Sequence, residues 1–195
     1  SLVGSEMCIR DSTDFNTVSI LWSQPITSLE VLMPDNIWRK VRHEANAVVL
    51  NLGDAMHFIS GGFFKPTIHR VVAPPEDQKH YNRLGVFYFA LFNENVVLEP
   101  LMESDIVKKA SQEHDFWSER HSRGLPAVTA GEWERMRVRA YGQGGQKKGS
   151  DGHDHEQIAG VNVTLYNSIQ NVPKVARKID GVNEHAPARV IHATS

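Results

Sequence analysis

Three side chains of complementary chemistry sit at the ends of strand-like stretches that are far apart in the chain. His69 lies inside KPTIHRVV, Arg83 opens RLGVFYF, and Asp14 precedes the apolar part of TDFNTVSIL. An imidazole, a guanidinium and a carboxylate at strand ends are the parts needed to hold a divalent metal beside an anionic small molecule. The ring nitrogen and the carboxylate oxygen are metal donors. The guanidinium fork can grip a second carboxylate through paired, charge-assisted hydrogen bonds. Arg83 stands before the very apolar GVFYFALF, which favours an inward position over a surface charge.

The elements that must position these groups read as β from Thr17 to about Pro100. VSILW, SLEVLM, IWRKVR, AVVLNL, TIHRVVA, GVFYFALF and NVVLEPL are short runs rich in β-branched and aromatic residues. Met33-Pro34-Asp35-Asn36 reads as a hairpin turn, Gly53-Asp54 as turn chemistry ending a strand, and Gly61-Gly62 as a site of positive φ. Pro74-Pro75 stops the strand that carries His69. Regular short strands with such turns suggest a sandwich or a barrel, and period alone does not choose between them.

Beyond Pro100 the pattern turns helical. SDIVKKASQEH starts on a capping serine, Ser104, and TAGEWERMRVRAYG pairs Thr129 with Glu132 as a capping box, with Gly142 as its stop. QGGQKKGSDGHDHEQ reads as a mobile loop, IAGVNVTLYN as a short strand, and the remainder as a loosely held tail. The expected organisation is therefore a non-native or disordered leader over 1–12, a β core over 13–100, helices over 101–142, and a loop, strand and tail over 143–195. The leader SLVGSEMCIRD shows no sustained period and resembles translated adapter sequence, which leaves Cys8 uninterpretable.

Composition bounds the function classes. A chain of 195 residues suits one domain with a sizeable core. With 21 Lys+Arg against 23 Asp+Glu there is no basic surplus to suggest nucleic acid. The single cysteine excludes an internal disulfide framework and fits a reducing compartment. No apolar run approaches the roughly 18 residues of a membrane span and no signal-peptide pattern is evident, so a cytoplasmic location is expected. The sequon Asn162-Val163-Thr164 then reads as part of a strand and not as a glycan site.

A string of motifs makes the site reading more specific. TDFNTVSIL, the QP and LEVL of SQPITSLEVL, Trp38 within NIWRKV, AVVLNLGD, ISGGFFKPTIHRVVAPP and RLGVFYF occur in order over roughly residues 13–100. This stretch resembles the C-terminal catalytic part of the Fe(II)/2-oxoglutarate-dependent dioxygenase superfamily, in its isopenicillin N synthase-like branch. The resemblance implies a mainly β fold: an incomplete double-stranded β-helix (jelly roll) with C-terminal α-helices packed on one sheet. It implies an enzyme that uses Fe(II) and the co-substrate 2-oxoglutarate. With dioxygen, such an enzyme hydroxylates, desaturates or cyclises a small organic molecule. Asp14 and His69 fall on metal-ligand positions and Arg83 on the residue that holds the distal carboxylate of 2-oxoglutarate. The physical logic agrees, because two imidazoles and a carboxylate on one face leave an Fe(II) ion with open positions.

The chain departs from the family pattern in three ways. Ser12 stands where the first histidine ligand belongs, and a neutral hydroxyl is a poor Fe(II) ligand. Arg83-Leu84-Gly85 replaces Arg-x-Ser, so Gly85 occupies a co-substrate-binding position without its hydroxyl. The N-terminal half of such enzymes has no counterpart in this sequence. These departures imply weakened metal binding and little turnover. They keep open a non-catalytic jelly-roll binding module and an iron oxidase that does not use 2-oxoglutarate.

Other residues read as structural. His153-Asp154-His155 has a metal-like pattern without a scaffold. His57 is expected to pack near the barrel, and Arg70, on the face opposite His69, to form a salt bridge. Phe87 and Phe89 share one strand face and are expected to fill core, while Trp117, Trp133 and Met136 pack the helices onto the sheet.

Overall fold

The computed structural model describes residues 13–140, 147–148 and 154–165. Strands β1 (Val18–Trp22), β4 (Val48–Leu52) and β6 (Phe87–Ala90) form one antiparallel sheet with β1 in the centre. Strands β2 (Leu29–Leu32), β3 (Trp38–Lys40) and β5 (His69–Val71) form another, centred on β2. The turn between β2 and β3 is Met33-Pro34-Asp35-Asn36. Asn36 adopts φ 59° and donates its N–H to the Met33 carbonyl at 2.9 Å.

Register decides what faces inward. Ser19 pairs with Asn51 and Phe89, and Leu21 with Val49 and Phe87. In the other sheet Val31 pairs with His69 and Leu29 with Val71. Alternate residues share a face, and these inward sets from both sheets line one cavity of about 150 Å³. On the opposite face of the second sheet, Arg70 meets Glu30 at 2.7 Å and lies 4.0 Å over the Trp38 ring. His69 and Arg70 thus serve opposite sides of one strand.

The main apolar core lies outside the two sheets. Helix α1 (Asp54–Ile59) inserts Phe58 among Phe116, Trp117 and Trp133, with ring centroids 5.2, 4.8 and 4.9 Å away. Leu98 and Val128 close this cluster, and the Trp117 indole N–H donates to the Leu98 carbonyl at 2.8 Å. Helices α2 (Asp105–Ser111), α3 (Ser118–His121) and α4 (Ala130–Ala140) follow. At the start of α4 the Thr129 N–H donates to Glu132 at 2.8 Å and the Glu132 N–H to the Thr129 hydroxyl at 3.3 Å, forming the capping box. A third sheet comprises β7 (Lys147–Lys148), β8 (Asp154–Ile158) and β9 (Val161–Leu165).

Several expectations need correction. Gly53-Asp54, read as turn chemistry, instead opens a helix over 54–59, with Ala55, Phe58 and Ile59 buried at helical spacing. Gly53 caps it because a Cβ there would fall 2.2 Å from the Asn16 carbonyl oxygen. NVVLEPL makes only an isolated bridge, Val97 to Thr129, since the adjacent apolar partners are loops and helices. The strand after Arg83 begins at Phe87, two residues into the apolar run GVFYFALF. Phe87 and Phe89 do share a face, their rings stacked 6.3 Å apart, but they line the open cavity and remain half-exposed. Trp117 and Trp133 pack on α1, with Met136 partly buried against the same cluster, and not on the sheets that flank the cavity. Residues 154–157, read as loop, join Ile158 in a strand that pairs with β9, whose alternating VNVTL supplies a template with Val163 turned inward. The leader over 1–12 and the tail from 166 lie outside the described residues, as does Gly142. Among the described residues no helix is long and apolar enough to cross a membrane.

Candidate metal and anion site

Asp14 lies in the irregular stretch before the bend at 15–17 that leads into β1, and depends on neighbours for its orientation. One carboxylate oxygen, Oδ2, accepts from the Ser19 hydroxyl and from the Asn51 side-chain amide, both at 2.6 Å. The Ser19 hydroxyl is itself fixed by the buried Asn16 amide, which donates to it at 2.9 Å. With Oδ2 engaged, Oδ1 is the oxygen presented to His69, whose Nε2 is 3.7 Å away. The His69 Nδ1 lies 3.1 Å from the Thr67 carbonyl, an acceptor, so Nδ1 carries a proton and Nε2 is the ring nitrogen turned toward Asp14. A ring nitrogen beside a carboxylate oxygen, each group braced at its far side, is an arrangement metal sites use.

Arg83 reaches the same cavity from the segment before β6. Its Nε is buried and makes no hydrogen bond. Burial pushes the guanidinium below its ordinary pKa, and no neighbouring carboxylate acts against that shift. A partly buried cation without a counter-charge is costly unless an anion joins it. The cavity walls are otherwise largely apolar, from Leu21, Leu29, Val31, Val49 and Phe87. An organic molecule with a carboxylate at one end matches both features.

Asp14, His69 and Arg83 all line this one cavity. The other candidates do not join them. Gly85 is exposed and does not line the cavity, and a Cβ there would run into the Phe87 ring. Ser12 lies outside the described residues. His57 lines a separate cavity of about 240 Å³ beside Phe58 and Trp133; burial holds its imidazole below the ordinary value, and its Nδ1 bonds the Phe64 carbonyl at 2.7 Å. His153 is also outside the described residues, while His155 Nδ1 sits 3.2 Å from both Asn162 and Thr164 side chains. Among the described residues no cluster of three or more metal-ligating side chains occurs, so the fit to a metal rests on two donors.

Sequence reasoning missed Ser19, Asn51 and Asn16, the residues that orient Asp14. Their signal was polarity where apolar side chains were expected, in VSILW and VVLNL, but only the β1–β4 register places Ser19 opposite Asn51. It also read Gly53-Asp54 as turn chemistry. Asp54 is in fact buried against Arg137 of α4, Oδ2 to Nε 3.3 Å. Burial pushes the Asp54 carboxyl up, and the Arg137 charge pulls it back.

Known proteins share this stretch of sequence and this fold. Residues 4–91 match the family model described as the 2OG-Fe(II) oxygenase superfamily. The chain is 31% identical to the 2-oxoglutarate-dependent dioxygenase frbH of Dothideomycetidae sp. across 63% of this chain and 39% of that protein. It is 38% identical to the 2-oxoglutarate-dependent dioxygenase tropC of Talaromyces stipitatus across 48% of this chain and 28% of that protein. A similar solved structure is that of a full-length Neurospora crassa protein in complex with alpha-KG and 5-formyluracil. The likeness has a TM-score of 0.55 at 25% identity and covers 70% of this chain and 40% of that one. The chain thus spans well under half of each relative. Through residues 4–91, a little under half of the chain, and the antiparallel fold that carries them, the chain is similar to the 2OG-Fe(II) oxygenase superfamily.

Proposed function

We propose that this chain forms the metal- and co-substrate-binding part of an Fe(II)/2-oxoglutarate-dependent dioxygenase that oxidises a small organic molecule. The observation that carries the reading is the convergence of Asp14, His69 and the unpartnered Arg83 on one apolar cavity. Asp14 Oδ1 and His69 Nε2 hold the metal. Ser19 and Asn51 fix the carboxylate so that little reorganisation accompanies binding. Arg83 receives the distal carboxylate of 2-oxoglutarate, and the apolar walls exclude water and seat the hydrocarbon part of the ligand. Fe(II) bound there supplies the redox chemistry by which dioxygen attacks an otherwise unreactive substrate. The fold supporting this is an incomplete jelly roll, two three-stranded sheets facing each other over the site.

Ser12 limits the activity. With two protein donors in place of three, metal binding is weak and turnover is low or absent. Calorimetric titration of the full chain with Fe(II) under anaerobic conditions tests this directly. Ser12→His should tighten binding by about tenfold or more, the order expected for one added ligand arm. No gain would overturn the ligand assignment. The lack of a three-donor cluster among the described residues favours, as a second reading, a binding module that kept the fold without catalysis. Oxygen uptake by Ser12→His separates the readings. Uptake that requires 2-oxoglutarate supports the dioxygenase, uptake without it supports an iron oxidase, and none supports the binding module.

A further inference from the structure

The side chain of Asp14 is oriented from within its own sheet, but its backbone is held from elsewhere. The carbonyl of Thr13 accepts from Arg137 Nη2 at 3.1 Å, across 124 positions of sequence. The carbonyl of Asp14 accepts from the Asp54 backbone N–H at 2.8 Å. These are the two peptide groups that bound the Asp14 Cα, and they lie before β1, where no strand ladder satisfies them. Their two donors are joined to each other. The side chains of Asp54 and Arg137 are each 9% accessible and approach to 3.3 Å, yet Oδ2 and Nε make no aligned hydrogen bond. The Arg137 Nη2 and the Asp54 backbone N–H point instead at the irregular segment that carries Asp14. The Arg137 guanidinium also sits 6.0 Å from the Trp133 ring centre, so α4 and the aromatic core fix its position.

We propose that Asp54 and Arg137 are positioning residues that set the Asp14 carboxylate from the C-terminal helix, coupling α4 to metal affinity. A buried ion pair is a poor stabiliser compared with apolar packing of the same volume. Its value here lies in two fixed donors on either side of one ligand's Cα. Removing the Arg137 contact lets this segment relax, and the carboxylate then spends less time aimed at His69 Nε2. The proposal rests on the reading of Asp14 as a ligand.

The test is Co(II) titration of the full chain, followed by calorimetry and by the visible absorption of the bound ion, with thermal unfolding measured in parallel. Arg137→Lys keeps a positive charge facing Asp54 but loses the fork that reaches Thr13. We expect it to weaken Co(II) binding by about tenfold or more, as for other residues that support a metal ligand, and to shift the absorption bands. Leu98→Ala destabilises the core without touching either carbonyl, and should leave affinity within about twofold at a comparable loss of thermal stability. Affinity unchanged in Arg137→Lys, or lowered no more than in Leu98→Ala, would overturn the proposal. If Arg137→Lys does not fold, the neutral pair Asp54→Asn with Arg137→Met, which buries no lone charge, replaces it with the same expected loss. Failure of both to fold would make the pair a folding determinant and also overturn the idea. Asp14→Ala separates the two levels: if it binds Co(II) as well as the parent chain, the ligand reading itself is wrong.

Discussion

At the residue scale, the site is a carboxylate with one oxygen engaged and one presented. Asn51→Ala should free Asp14 Oδ2 of one of its two donors and weaken divalent-metal binding by about 10–100-fold, measured by Co(II) titration. Arg83 predicts a different signature, because the partner proposed for it is an anion and not the metal. Arg83→Met should lower 2-oxoglutarate affinity by roughly a hundredfold or more, the scale of a lost charge-assisted pair, while leaving metal affinity nearly unchanged. A parallel loss of both ligands would mean that Arg83 supports the fold instead. The residue types were legible early: an imidazole, a carboxylate and a guanidinium in β contexts identify their own chemistry. The support of Asp14 by Ser19 and Asn51 was not, because it depends on which of two strands' polar residues fall opposite each other.

At the element scale, the helices do more than cover a sheet. Their aromatic residues build the core around α1, and Phe58→Ala should cost about 3–5 kcal/mol in chemical denaturation. The short α3 is tied to the 96–101 segment through an ion pair that titrates. His121 Nε2 lies 3.0 Å from Glu99 and its Nδ1 3.3 Å from Asp115. The hydrogen bond with Glu99, then the charges of both carboxylates, raise the imidazole above its ordinary value of 6.5. A raised folded value means the proton binds the folded state more tightly. The stabilisation is fully present below pH 6.5 and is lost as pH rises through the higher folded value. His121→Gln should therefore lower the melting temperature at pH 5.5 and have little effect at pH 9, with the shift kept small by solvent exposure. Loss of stability that is equal at both pH values would show packing, not charge, to be the role of His121. Of these elements, α4 was legible from its capping box. Helix α1 was not, because six residues after a turn-like Gly53-Asp54 are too few to show a sustained helical period.

At the scale of the whole molecule, the sheet containing β1 shows apolar side chains on the face away from the cavity as well. Trp22, Val48 and Tyr88 lie there, each roughly half-exposed. Contiguous apolar surface of this kind binds hydrophobic dyes and promotes association. The native chain should enhance the fluorescence of an anilinonaphthalene dye, and Val48→Lys with Tyr88→Lys should reduce that signal without changing the far-ultraviolet circular dichroism. An unchanged signal would place the accessible apolar surface elsewhere. What the sequence determined by itself was residue chemistry and local form: the three candidate groups, the turn at Pro34-Asp35, the capping box, and the alternation that turns His69 and Arg70 to opposite faces. These follow from residue type and short-range geometry, which neighbours in the chain fix between them. Only the tertiary structure decided that Ser19 and Asn51 share one oxygen of Asp14, and that an arginine of α4 holds the peptide beside it. Contacts between residues so distant in sequence are set by register and packing, and neither leaves a periodic trace in the chain.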